Sequence, residues 1–152
     1  MEITGEFAIP APRERVWEAL NDPEVLRQCI PGCESIEREA DNVFNAAMRA
    51  KIGPVKARFT SVVTLTNLDP PNGYTIVGEG KGGPAGFGKG SADVTLEPQG
   101  DETTLRYRAE LQVGGKLAQI GSRLVAGAAR KIADDFFGKF QEVVGGETPP
   151  SA

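Results

Sequence analysis

The fold is decided by a segment near the C-terminus, residues 114–144, which reads GGKLAQIGSRLVAGAARKIADDFFGKFQEVV. Its apolar side chains recur at steps of three and four, which predicts an amphipathic helix of about 28 residues, or about 40 Å. The stripe consists of Leu117, Ile120, Gly121, Leu124, Val125, Ala128, Ile132, Phe136, Phe140 and Val143. Gly121, Gly127 and Gly138 would each cost the interior of an unbroken helix about 1 kcal/mol relative to alanine. We therefore expect this helix to cover a surface and to leave room beneath the gaps at Gly121 and Ala128.

The segments before this helix alternate in polarity, as strands of a half-buried sheet do. A first strand is predicted at residues 3–9, followed by two short helices, one at residues 13–20 and one that ends near Cys29. From Phe44 onward the apolar period is two, and the clearest strand places Leu105, Tyr107 and Ala109 on one face. This order predicts an α+β fold in which a curved antiparallel sheet of about seven strands wraps a long C-terminal helix.

Length and charge limit the classes of function. The 152 residues fit one domain, which we place at residues 1–144, with a disordered tail at residues 145–152. The net charge of −4 gives no reason to expect nucleic acid as a partner. There is no apolar run of about 18 residues and no basic, apolar leader at the N-terminus, so we expect a cytoplasmic protein.

The chain contains no histidine. This removes histidine metal sites and the nucleophile pairs that use a histidine base. Cys29 and Cys33 are separated by three residues and lack a second pair of ligands, which argues against a zinc site. Two thiols and a disulfide across the turn both remain open. We expect no cofactor and no metal, and we assign no catalytic residue.

Small residues at inward positions predict a ligand cavity. Ala46, Ala50 and Ala109 of the strands would face Gly121 and Ala128 of the helix, and large voids are costly unless they serve a purpose. The alternative is that Phe59, Phe87, Tyr107, Phe136 or Phe137 fills the space. The candidate ligand-binding residues are Phe44, Met48, Phe59, Leu65, Phe87, Tyr107, Leu117, Gly121, Leu124 and Ala128.

Seven glycines fall within residues 78–90. Their spacing imitates phosphate-binding loops, but a strand pattern follows them where such loops need a helix. We interpret the run as the rim of a hairpin that closes over a cavity mouth, and a simple glycine-rich bend is an equal alternative. The candidate gate and hinge residues are Gly83, Pro84, Ala85, Gly86, Gly114 and Gly115.

Cations cluster near the predicted hairpins. Lys51, Lys56 and Arg58 would meet anionic lipid or an acidic partner if they shared a face, although solvated strand edges also favour lysine. Lys116 and Arg123 begin the long helix and are candidates for polar contacts to a ligand head, or are simply exposed first-turn residues.

The order of elements resembles the helix-grip fold of the START and polyketide-cyclase (SRPBCC) superfamily, whose members hold apolar ligands between sheet and helix. Three runs look like the CoxG family of carbon monoxide dehydrogenase proteins: CIPGCE at residues 29–34, GEGKGGPAGF at residues 78–87 and VGGKLAQIGSRL at residues 113–124. The resemblance implies a protein that is not itself a redox component and that serves a molybdenum hydroxylase, such as carbon monoxide dehydrogenase, at the cytoplasmic membrane.

Three functions follow from these observations. The first is a non-enzymatic accessory protein that binds a small lipophilic ligand, such as a quinone, a lipid or an aromatic compound, with a molybdenum hydroxylase as partner and a peripheral contact to the inner face of the membrane. The second is a cyclase- or dehydratase-like enzyme, in which Tyr107 or a carboxylate such as Glu79 would supply acid–base chemistry. The third is an interaction adaptor with a filled core.

Overall fold

The computed structural model describes residues 1–146. It contains seven strands and four α-helices, in the order β1 (Glu2–Ile9), α1 (Arg13–Leu20), α2 (Pro23–Cys29), β2 (Cys33–Ala40), β3 (Val43–Ile52), β4 (Val55–Asp69), β5 (Gly73–Lys81), β6 (Phe87–Gln99), β7 (Glu102–Gly114), α3 (Lys116–Gln119) and α4 (Ser122–Gly146). A 3-10 turn at Gly83–Ala85 connects β5 to β6. The predicted α+β fold, with a curved seven-stranded sheet and a long C-terminal helix, is confirmed.

All strands form one antiparallel sheet in the order β1-β7-β6-β5-β4-β3-β2. Each strand from β2 to β7 pairs with the next in sequence, and β1 closes the sheet beside β7. The two short helices follow β1 as predicted. Pro12 precedes α1, and the Asp22 side chain caps α2 by accepting a hydrogen bond of 2.9 Å from the Glu24 backbone N–H.

The prediction of one continuous helix was wrong at its start. Gly121 has a φ of 94°, in the left-handed region, and separates the single turn of α3 from the 25 residues of α4. Only glycine adopts this conformation without strain, so the break lies at the residue that the sequence pattern had placed inside the helix. Gly127 and Gly138 do lie inside α4. The helix continues to Gly146, and residues 147–152 of the predicted tail lie outside the described residues.

The apolar interior is divided into two clusters. The larger lies between the sheet, α1, α2 and the C-terminal half of α4, where Phe140 and Val144 are fully buried. Its aromatic part includes Phe7 stacked on Phe137, with ring centroids 4.4 Å apart. The smaller cluster is built on Phe59, Ala85 and Leu117, near the break between α3 and α4. A gap in the packing lies between the two clusters, under the N-terminal half of α4.

Candidate functional site

A cleft of about 390 Å³ occupies this gap between the concave face of the sheet and the helices α3 and α4. Its volume lies in the range of about 300–1,000 Å³ that is typical of small-molecule sites. Apolar side chains from both layers line it: Met48, Ala50, Ile52, Phe59, Ile76, Ala92, Ala109, Leu111, Val113, Leu117, Val125, Ala129 and Ile132. The composition favours a predominantly apolar ligand.

The floor of the cleft is bare backbone. Gly78 of β5 pairs with Gly90 of β6, and Gly80 pairs with Gly88. A Cβ atom added at Gly78, Gly80 or Gly88 would come no nearer to another atom than 3.7–3.8 Å, which is ordinary contact. None of these three has a positive φ, so neither the backbone nor the packing requires glycine there. Side chains at these positions would project into the cleft, and the glycines therefore keep it open.

The position at Gly90 differs from its three neighbours. A Cβ atom there would clash with the Glu110 carbonyl oxygen of the adjacent strand, so close approach of the backbones accounts for this glycine. The run of glycines at residues 78–90 thus serves two purposes within paired strands. Only its middle part, residues 82–86, forms the turn that the sequence analysis extended over the whole run.

Ser61 supplies the one polar side chain that strand alternation places on the cleft side of the sheet among the described lining residues. Four further polar residues border the cleft, but alternation turns their exposed side chains to the outer face of the sheet: Glu79, Lys89, Ser91 and Gln112. The orientation of Glu79, which the sequence left open, is therefore outward. A ligand in the cleft meets apolar groups and one hydroxyl.

The predicted gate and hinge segments contact each other beside the cleft. Gly86 and Gly115 have φ values of 106° and 68°, and a Cβ atom on Gly115 would lie 2.7 Å from the Gly86 Cα atom. The turn is closed by hydrogen bonds from the Gly82 N–H to the Gly86 carbonyl, 2.8 Å, and from the Gly86 N–H to the Gly83 carbonyl, 3.0 Å. Ala85 packs against Phe59 and Leu117. Motion of this turn stays a prediction.

The structure brings three of the ten candidate ligand-binding residues to the cleft: Met48, Phe59 and Leu117. Phe44 and Leu65 are buried in the larger core cluster. Tyr107 stacks with Phe7 and Phe137, at centroid distances of 6.2 and 6.1 Å, and belongs to the same cluster.

The other four candidates lie outside the cleft. Phe87 is 42% exposed beside Gly114, and Leu124 is 53% exposed on the outer side of α4. Ala128 lies next to Leu124 on that side, and Gly121 forms the helix break. Alternation in β7 does place Leu111 and Val113 on the cleft side, and this signal was available in the sequence. The part of Ser61 was missed, because β4 reads as a long strand without a clear period.

Ionisable groups near the interior do not converge on the cleft. Burial raises the pKa of the Tyr107 hydroxyl, and the Asp134 carboxylate adds to the rise. Burial also raises the pKa of the Cys29 thiol to about 11. Cys29 and Cys33 are both free thiols. Residues 1–146 contain no cluster of three or more Cys, Asp or Glu side chains arranged to hold a metal ion.

Comparison with known proteins identifies both the fold and the family. Among solved structures, a conserved protein from Geobacillus kaustophilus is 33% identical, with a TM-score of 0.90 over 96% of each chain. A START superfamily protein from Mycobacterium smegmatis is 14% identical, with a TM-score of 0.76 over 97% of this chain and 99% of that one. The Zhui aromatase/cyclase from a Streptomyces species is 14% identical, with a TM-score of 0.70 over 95% and 93%. The last two likenesses concern the fold alone.

No curated protein matches the chain significantly. No helix among residues 1–146 combines the length and the apolar character needed to cross a membrane. The family model for CoxG, which is described as a component of carbon monoxide dehydrogenase, matches residues 5–145, nearly the whole described chain. This chain therefore belongs to the CoxG family and has a START-like fold.

Proposed function

We propose that this protein is a non-enzymatic accessory protein that holds a lipophilic molecule under α4 and serves a molybdenum hydroxylase of the carbon monoxide dehydrogenase type. The CoxG family and the START-like, cyclase-like fold support a ligand-binding accessory role in general. The observation that carries the proposal is the glycine floor at Gly78, Gly80 and Gly88, because larger residues fit there sterically and would fill the cleft.

The lining defines the class of ligand. Burial of apolar surface contributes about 25 cal/mol per Å², so a ligand gains affinity chiefly from its hydrocarbon or ring surface. Ser61 offers one hydrogen bond, which suits a molecule with few polar groups. A quinone ring, a lipid chain and an aromatic compound all have this character.

A contact with the inner face of the cytoplasmic membrane would give the protein access to such ligands. On the outer face of the β3–β4 hairpin, Lys51 pairs across the strands with Lys56, and Arg49 with Arg58. Both arginines bind the Glu34 carboxylate, at 2.8 and 2.6 Å. The two lysines have no ion-pair partner within residues 1–146, and we propose that they face anionic lipid or an acidic surface of the hydroxylase.

The alternatives have less support. An enzyme of the cyclase or dehydratase kind needs an acid or base at the ligand, whereas the cleft side of the lining offers only the Ser61 hydroxyl, and Tyr107 stacks within the core cluster. An adaptor with a filled interior is not favoured by a cleft of about 390 Å³.

The deciding experiment is mass spectrometry of the purified full-length protein, first under native conditions and then after extraction with organic solvent. We expect a lipophilic molecule in near-stoichiometric amount. Gly80→Leu should abolish its retention, because the new side chain points into the cleft. Gly138→Leu is the matched control, since a Cβ atom at Gly138 has open space around it on the exposed side of α4.

The result that contradicts the proposal is specific. If the wild-type protein carries no ligand and also fails to bind hydrophobic fluorescent probes saturably, the carrier function is wrong. If Gly80→Leu and Gly138→Leu retain the same ligand equally, the ligand lies elsewhere.

A further inference from the structure

A second groove, of about 530 Å³, lies on the other side of the N-terminal half of α4. We call it the outer groove. β2 pairs with β3 only as far as Met48, so the last residues of β3 form a free sheet edge opposite the helix. The groove is lined by Pro31, Gly32, Met48, Arg49, Ala50, Lys51, Gly53, Arg123, Leu124, Gly127, Ala128, Lys131, Ile132 and Asp135.

The outer groove and the cleft share a wall. Met48, Ala50 and Ile132 line both spaces. Ala50 has a minimal side chain, and Met48 is unbranched with three rotatable bonds, so it changes shape at low cost. A rotation of the Met48 side chain away from Ile132 would connect the two spaces.

The charges of the outer groove are unlike those of the protein as a whole. Four cations line it, Arg49, Lys51, Arg123 and Lys131, against the single carboxylate of Asp135. The net charge of the entire chain is −4. Arg49 binds Glu34 and Lys131 binds Asp135, at 2.8 and 2.9 Å. Lys51 and Arg123 have no ion-pair partner among residues 1–146, although they border the same groove.

We propose that the ligand is an amphiphile with an anionic head, whose apolar chain lies in the cleft and whose carboxylate or phosphate lies in the outer groove near Lys51 and Arg123. This inference rests on the proposed function and narrows it, since an apolar cleft alone would accept neutral molecules equally well. The chain passes between Met48 and Ile132, and the head stays in a groove open to water, where its charge is not desolvated.

The test compares three probes with the same alkyl chain by isothermal titration calorimetry on the full-length protein: dodecanoate, dodecyl phosphate and 1-dodecanol. At neutral pH and low salt we expect both anions to bind at least about fivefold more tightly than the alcohol, the range for partly exposed ion pairs. The Lys51→Gln/Arg123→Gln double variant should reduce this ratio to about one. The Lys81→Gln/Lys89→Gln double variant removes the same charge from the outer face of the sheet and should leave the ratio unchanged.

Two results would overturn the inference. One is equal affinity of the wild-type protein for the anions and the alcohol, which leaves the apolar cleft and the proposed function intact. The other is a preference for anions that survives in the Lys51→Gln/Arg123→Gln variant. If none of the three probes binds, the proposed function fails together with the inference.

Discussion

Gly80 of β5 lies directly opposite Gly88 of β6, so two neighbouring strands present bare backbone to the helix that crosses them. Glycine in a strand interior sacrifices stability, because it offers no side chain to pack and orders more backbone entropy than other residues. The arrangement exchanges packing for an open space in the middle of the sheet. A protein selected only for stability would fill these positions.

The floor glycines should therefore give opposite results at adjacent positions. Gly88→Val adds a Cβ atom in ordinary contact, 3.7 Å from Val113 Cγ1, and should stabilise the fold by about 0.5–1 kcal/mol while it narrows the cleft. Gly90→Val clashes with the Glu110 carbonyl and should destabilise it by about 1–3 kcal/mol. Urea denaturation measures both. Equal destabilisation by the two changes would show that Gly88 has a structural role.

The contact between the β5–β6 turn and the start of α3 should depend on Gly115. Gly115→Ala forces a left-handed alanine and a clash with the Gly86 Cα atom, and should cost about 2–4 kcal/mol of unfolding free energy. Gly100→Ala is the control: its φ of 65° is similar, but nothing lies within 4 Å of the added atom. It should cost only about 1 kcal/mol. A loss at Gly115 no larger than that at Gly100 would mean that the turn is not held against α3.

The larger core cluster should depend strongly on Phe140, which is fully buried on α4. Phe140→Ala should destabilise the protein by about 3–5 kcal/mol, because it leaves a cavity as well as losing apolar burial. Leu124→Ala, on the 53% exposed side of the same helix, should change stability by about 0.5 kcal/mol or less. Thermal and urea unfolding check both variants, and a comparable loss at Leu124 would contradict the assigned faces of α4.

The buried thiol of Cys29 should make stability fall at alkaline pH. Its pKa rises from 9.0 to about 11 on burial, so the folded state holds the proton more tightly than the unfolded state does. The stabilisation is complete below about pH 9 and is lost as the pH rises towards 11. Unfolding free energies of the wild type and Cys29→Ala should therefore converge over this interval. A constant difference between them from pH 8 to pH 11 would exclude this linkage.

Local chemistry was enough to predict much of the fold. The Asp22 cap and the prolines before α1 and at the start of α2 predicted both short helices, because caps and fixed φ angles act within a few residues. Alternation predicted the strands and the face of each residue. The face alone did not place a residue at the site: Leu65 and Tyr107 point inward as expected, yet they lie in the core cluster and not in the cleft.

The sequence by itself determined the order of elements, the apolar faces and the family, because periodicity, caps and turns are encoded locally along the chain. Only the tertiary structure decided where the space beneath α4 lies and which side chains border it. A period of two tells which face a side chain occupies, but not its distance along a curved sheet from the helix that crosses it. The same limit applies to the three helix glycines. Gly127 and Gly138 remain helical and Gly121 does not, since packing of α3 and α4 onto the sheet selects among conformations that glycine adopts about equally well.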